Sequence, residues 1–102
     1  MPPPAAEARW WVYVLECRGG VLYTGIAKDV EARFAAHRRG AGASFTRINP
    51  PLRIVGKAAL AGRGEALRAE YALKQVPRAD KLRWCEAGLD AFVAAFVAQA
   101  RG

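Results

Sequence analysis

Trp10 to Cys17 is a run of aromatic and β-branched residues and predicts a strand. Val21 to Ile26 has the same character and predicts a second, with Arg18-Gly19-Gly20 between them as a hairpin signal. Register decides what such a hairpin can do. A three-residue loop at 18–20 pairs Cys17 with Val21 and Leu15 with Tyr23, which places Tyr13 and Tyr23 on one face as diagonal neighbours. A two-residue loop would send the two tyrosines to opposite faces, because a slip of one residue inverts every side chain.

Further along, Asp29 is placed to cap a helix running to about Arg39 and ended by Gly40. Gly40 to Pro51 reads as loop. Leu52 to Leu60 predicts a third strand, weakened by Gly56. Gly62-Arg63-Gly64 breaks the chain ahead of a helix from Glu65 to Val76, which stops before Pro77. Asp80 is expected to cap a short helix through about Ala87. After Gly88, Leu89 to Ala100 predicts a last helix with Leu89, Phe92, Val93, Phe96 and Val97 on one stripe. The expected class is α/β of the α+β type. It is a small, largely antiparallel three-stranded sheet flanked by helices, β-β-α-β-α-α with an extra C-terminal helix. Residues 1–8 read as a disordered Pro/Ala arm, 9–87 as the domain, and 88–102 as a helix packed on the domain or at a dimer interface. Fold-back is favoured over a dimer, because 102 residues are short of core and gain from burying their own apolar surface.

Composition narrows the partners. With 53% hydrophobic residues the chain should be globular. Sixteen Lys plus Arg against nine Asp plus Glu give a net charge of +7, which favours nucleic acid, an acidic membrane surface or an acidic protein without choosing among them. Cys17 and Cys85 lack Cys-x-x-Cys spacing and read as reduced, partly buried thiols. The start has no apolar signal-peptide region, and no apolar run reaches membrane-spanning length. The expected setting is therefore cytoplasmic and soluble, with no membrane partner.

Few residues stand out chemically. Arg33 and His37 are four apart and share a helix face beside Val30 and Phe34. They read either as a site at the sheet edge or as a solvated pair flanking a core stripe. Glu70 falls on the inward side of its helix, between Leu67 on one side and Ala66 and Leu73 on the other. An inward carboxylate needs a partner or a metal. An i,i+4 pair with Lys74 would also explain it and contribute only ~0.2–0.5 kcal/mol. Tyr13 and Tyr23, taken singly, read as packing, as do Trp10, Trp11 and Trp84. Walker, GxGxxG, GxSxG, zinc and paired-acid motifs are absent, and a single histidine excludes chemistry that needs two.

As a set, these residues resemble the GIY-YIG nuclease domain, above all its small stand-alone bacterial members, from about Trp10 to Trp84. The family's first motif aligns with Trp11-Val12-Tyr13 and its second with Tyr23-Thr24-Gly25. Gly25 to His37 resembles the stretch carrying the family's arginine and a common histidine. Arg33 follows Tyr23 by ten residues, and His37 follows Arg33 by four. Ser44-Phe45-Thr46-Arg47 looks like the loop of the stand-alone members. Ala66 to Lys74 is similar to the helix bearing the metal-binding glutamate, here Glu70. The chain departs from the pattern in the first motif, which lacks its glycine and has Val12 at its middle position, at Thr24, and at Ile26, where some members carry a lysine.

What the resemblance implies is a metal-dependent endonuclease that hydrolyses DNA phosphodiesters. Low sequence specificity is expected, because no appended recognition domain is seen. Tyr13, Tyr23, Arg33, His37 and Glu70 would be catalytic. Glu70 would hold one Mg²⁺ or Mn²⁺, and Arg33 would bind the scissile phosphate. Tyr23 is the candidate general base, with Tyr13 positioning water or assisting proton transfer, and His37 stays open as the alternative base. Gly25 would let the chain turn into the helix and let backbone approach phosphate. Lys28, Arg38, Arg39, Arg47 and Lys74 are candidates for further nucleic-acid contacts. The partner is DNA, with RNA or a structured nucleic acid as alternatives, and repair or recombination is the expected setting. A monomer is favoured over a homodimer. Two readings compete with this one: a non-catalytic nucleic-acid-binding module of the same fold, and a basic adaptor protein.

Overall fold

The computed structural model describes residues 9–41 and 44–101, with the side chains of 44–45 and 97–101 outside the description. The arm expected over 1–8 and the side chain of Val97 therefore lie outside the described residues. The elements are β1 (Trp10–Cys17), β2 (Leu22–Ala27), α1 (Val30–Arg38), α2 (Ser44–Ile48), β3 (Pro51–Leu60), α3 (Arg63–Lys74), α4 (Arg78–Ala87) and α5 (Leu89–Arg101). The three strands form one antiparallel sheet in the order β2-β1-β3. The fold class is the α+β class that the sequence predicts.

β1 is central, and helices cover both of its faces, which is why its sequence is almost continuously apolar rather than alternating. On one face Val12 and Val14 join Ala58, Leu60, Ala66, Ala69, Leu73 and Leu89 in a core under α3 and α5. On the other, Tyr13, Leu15 and Cys17 pack with Ala27 and Val30 against α1. The hairpin takes the three-residue register: Leu15 pairs with Tyr23, and the Cys17 N–H donates to the Val21 carbonyl at 2.8 Å. A single 3-10 turn over Arg18–Gly20 makes the connection, with Gly19 at φ 82° and Gly20 at φ 79°. Two successive left-handed residues need glycine, and the Gly-Gly pair supplies them.

Several boundaries differ from expectation. The segment read as loop between Gly40 and Pro51 contains the helix α2. Five residues are too few to show a helical period, and α2 is tied down by a tertiary bond from Thr46. Next, α3 begins at Arg63, so Arg63 and Gly64 form its first turn instead of breaking the chain; Gly62, in extended backbone, takes the cap position. Asp80 does not cap α4. Pro77 occupies that place, while Asp80 sits in the first turn, where a carboxylate suits the helix dipole, and pairs with Arg83. Gly56 does not break β3. It sits where Cys85 and Leu89 press on the sheet, and a Cβ there would lie 3.0 Å from the Cys85 sulfur.

α5 packs on β3 and α4. Leu89 is fully buried, and Phe92, Val93 and Phe96 lie against the larger core, with the Phe92 ring edge-on to Trp84 at 5.5 Å. No helix among the described residues is long and apolar enough to cross a membrane.

Removing α5 by truncation after Ala87 is expected to lower the melting temperature and increase light scattering. Burial of one phenylalanine contributes ~1.5–3 kcal/mol, a large share of a small domain's stability. Thermal melts of the full and truncated chains check this, and superimposable melts would show that α5 covers nothing of consequence.

Candidate active site

Antiparallel pairing sets Tyr13 opposite Gly25 and Leu15 opposite Tyr23, so both tyrosines fall on the α1 face, their ring centroids 6.3 Å apart. Three of the motif departures fall on the other face. Val12 and Ile26 are partners there and belong to its core. Thr24 shares that face, with Lys81 Nζ 3.5 Å from its hydroxyl. Trp11, in place of the first motif's glycine, is on the tyrosine face and packs against the cluster that holds Tyr13. Gly25 is not at a turn, as expected, but inside β2 and buried. Glycine is required there because a Cβ would come within 2.6 Å of the Tyr13 hydroxyl oxygen and 3.1 Å of Tyr23 Cε2. Its role in the fold is to make room for Tyr13.

α1 supplies Arg33 and His37. The Asp29 carboxylate caps it as predicted, accepting the Ala32 N–H at 3.0 Å. His37 is not the solvated residue of the blander reading: only 1% of it is exposed. Its Nε2 lies 3.1 Å from the Tyr13 hydroxyl and its Nδ1 lies 2.7 Å from Thr46 Oγ1. The Tyr23 ring meets the imidazole edge-on at 5.1 Å. Thr46, itself buried, is the site residue that sequence reasoning missed. It lies within the Ser44–Arg47 segment already singled out. The usable signal was that a histidine facing a core must find a partner for each nitrogen.

Burial pushes the Tyr13 phenol up to about 12, with the neighbouring Tyr23 adding to the rise; a hydrogen bond and the positive charge of Arg33 oppose it, and Glu70 adds a smaller upward push. Tyr23 is also raised, chiefly by burial, with Arg33 pulling down and Glu70 pushing up. Burial and then Arg33 lower His37 from 6.5, so the imidazole is neutral near neutral pH. Arg33 itself is exposed and close enough to act on all three groups.

Glu70 comes from α3. Its carboxylate is 19% exposed and lies 3.6 Å from Lys74 Nζ, so the i,i+4 pair exists, and its charge also reaches both tyrosines. Among the described residues no group of three or more His, Cys, Asp or Glu side chains is placed to hold a metal. Glu70 by itself fits an ion that keeps most of its waters and takes phosphate oxygens, as Mg²⁺ does, and does not fit a dedicated all-protein cage.

The basic candidates are dispersed. Lys28 lies over the Trp10 ring at 5.6 Å and Arg38 over the Phe34 ring at 5.8 Å. Arg39 is the exposed C-cap of α1, Arg47 is exposed on α2, and Lys74 is engaged by Glu70. The structure brings Tyr13, Tyr23, Arg33, His37 and Glu70 together, and of these cations Lys74 is the one with a contact to the group.

The molecule is thus a small α+β domain that brings a tyrosine–histidine pair, an arginine and a carboxylate within electrostatic reach of one another. A family model of the GIY-YIG catalytic domain matches residues 9–83. The chain is 47% identical over 81 residues to a UPF0213 protein of Cupriavidus pinatubonensis, covering 79% of this chain and 90% of that one. It is 51% identical over 82 residues to a UPF0213 protein of Xanthomonas campestris pv. campestris, covering 80% of each. A solution NMR structure of a UPF0213 protein from Bacillus halodurans is 38% identical, with a TM-score of 0.49 over 78% of this chain and 84% of that one. The chain belongs to the GIY-YIG family. The names of these relatives state no activity.

Two outcomes follow from the geometry. Gly25→Ala should destabilise the fold by ~1–3 kcal/mol, the usual cost of overpacking, and should displace Tyr13. Urea unfolding together with the Tyr13 ring resonances checks it; an unchanged midpoint would contradict the close approach. The second concerns acid. A base whose folded pKa lies below its unfolded value gives stability that is complete above 6.5 and is lost as pH falls from there toward the folded value. Unfolding free energy should therefore drop across that window, and His37→Gln should flatten the drop. Parallel slopes for the two proteins would refute it.

Proposed function

We propose that this chain is a divalent-metal-dependent endonuclease that hydrolyses DNA phosphodiester bonds with low sequence specificity. The observation that carries the reading is the buried hydrogen bond between Tyr13 and His37, set beside Tyr23, Arg33 and Glu70. A domain needs no such polar constellation for stability, because hydrophobic residues would fill the same space at less risk.

Each group has a task its surroundings suit. Arg33, exposed and always charged, binds the phosphate through its planar fork. Glu70 is the residue to hold Mg²⁺ or Mn²⁺; such an ion neutralises phosphate charge and acidifies bound water. Tyr23 is partly exposed while Tyr13 is 1% exposed, so Tyr23 is the phenol that meets water and serves as the base. His37 is too buried to reach water itself, and both of its nitrogens are engaged. It acts through Tyr13, holding the phenol beside Tyr23 while Thr46 holds the imidazole. The chain works as a monomer, because its α5 stripe is committed to its own core.

The test is incubation of the purified protein with single- and double-stranded DNA, with and without Mn²⁺. Metal-dependent nicking is expected, and Glu70→Ala should abolish it with DNA binding largely kept, since the basic surface remains. Full cutting by Glu70→Ala, or in excess chelator, would contradict the assignment. Salt-sensitive binding without nicking would mark a non-catalytic module, and neither activity an adaptor.

A further inference from the structure

Three elements meet at one end of the sheet: β1 begins with Trp10, β2 has just ended before Lys28, and α3 begins with Arg63. Lys28 Nζ lies 5.6 Å from the centroid of the Trp10 ring and the Arg63 guanidinium carbon lies 5.7 Å from it. Both cations are exposed, and among the described residues neither makes an ion pair. Asp29, next in sequence to Lys28, is committed to capping α1. The neighbouring indole provides the contrast. Lys57 lies over Trp11 at 5.0 Å, but its charge is neutralised by Glu31 at 2.7 Å. One tryptophan thus carries a balanced cation, and the other gathers two unbalanced ones.

Two like charges held about one ring repel each other, and the indole only partly compensates them. An anion between them removes the repulsion. The ring also restrains two long, flexible side chains, which lowers the ordering cost of any ligand they bind. Placement identifies the anion. Trp10 stands near the start of β1, three residues before Tyr13 and on the other face of the sheet, so the cluster lies at the end of the sheet. Arg63 is seven residues from Glu70 along α3, ~10 Å at the rise of a helix and on the same side of it. A nucleic-acid backbone carries a phosphate at every nucleotide, so a strand bound at Glu70 that follows α3 brings one of its neighbouring phosphates to this cluster.

We infer that Trp10, Lys28 and Arg63 form a second phosphate-binding subsite, which grips the nucleic-acid backbone at this end of the sheet. The position of the scissile phosphate rests on the nuclease reading; the grip on backbone phosphate does not. The subsite carries no base readout, since an ammonium and a guanidinium held on a ring match phosphate without regard to sequence. It fixes register along the strand.

The experiment is fluorescence anisotropy with a labelled duplex in chelator, so that cutting plays no part, across 50 to 200 mM salt, a range over which such slopes are measured. Wild type is compared with Lys28→Gln, Arg63→Gln, their double variant, Trp10→Leu and Lys57→Gln. Each phosphate contact contributes about 0.9 to the slope of log affinity against log salt. Lys28→Gln and Arg63→Gln should each reduce the slope by about that amount and the double variant by about twice it, on any duplex sequence. Trp10→Leu, which changes no charge and keeps an apolar side chain, should weaken binding several-fold. Lys57→Gln removes the same unit of charge as either single variant and should leave the slope where it was. An unchanged slope in the double variant overturns the subsite. So does an equal loss in Lys57→Gln, which would mean a response to net charge only, and so does absence of salt-dependent binding by wild type. If the slopes fall as stated and wild type fails to nick DNA with Mn²⁺, the subsite stands and the nuclease reading falls. If wild type nicks and the slopes stay put, the reverse holds.

Discussion

A phenol shut inside a protein must find a partner for its hydroxyl, and Tyr13 meets that requirement in a way that fixes much else. It sits on a strand covered on both faces, opposite a glycine that alone leaves room for it. Its hydroxyl reaches His37, which forces α1 to lie across this face with that histidine turned inward. A neutral imidazole has a second nitrogen to satisfy, and Thr46 does so, which holds α2 against α1. Strand register, helix placement and the short helix follow from one buried O–H. Among the described residues no buried side-chain nitrogen or oxygen lacks a partner.

The same burial creates a chemical difficulty. Both tyrosines have their ionisation pushed upward, and a phenol that keeps its proton is a weak base. Arg33 is the only group named here that pulls both down, and it does not prevail over burial; Glu70 pushes both up. Additional positive charge near Glu70 would reverse that last effect and offset the first. Added positive charge is therefore what would bring either phenol back toward ionising.

Much of this was legible in the sequence, for reasons that differ by residue. The hairpin register could be read because Gly19-Gly20 specifies a turn and the turn specifies the pairing. Asp29 could be read because a cap is local chemistry. β1 was legible as a strand from its run of aromatic and β-branched residues. Where reasoning failed, the deciding contact was distant in sequence. Thr46 is chosen by His37, nine residues before it, and nothing inside the α2 segment announces the pairing. Gly25 looked like a turn residue because glycine is common in turns; its reason is a tyrosine ring on the next strand. Arg63 and Gly64 looked like a break because neither favours a helix start, yet packing of Ala66, Ala69 and Leu73 extends α3 back over them. Asp80 lost the cap to Pro77, whose fixed backbone suits a helix start three residues earlier.

The weakest element thus holds a strong constraint. α2 has five residues, too few to be stable alone, so its place depends on the bond between Thr46 and His37 as much as His37 depends on it. Protonation tests that mutual dependence. A charged imidazole donates from both nitrogens. In the neutral ring one nitrogen accepts, so whichever of Tyr13 and Thr46 donates to it must turn its O–H away and accept instead. Both are 1% exposed, so water cannot readily replace what is lost. Burial and the nearby Arg33 oppose the added charge as well. Acid is thereby coupled to the contacts of Tyr13 and to the seat of α2, and the pH that loosens the fold is the pH that loosens this cluster.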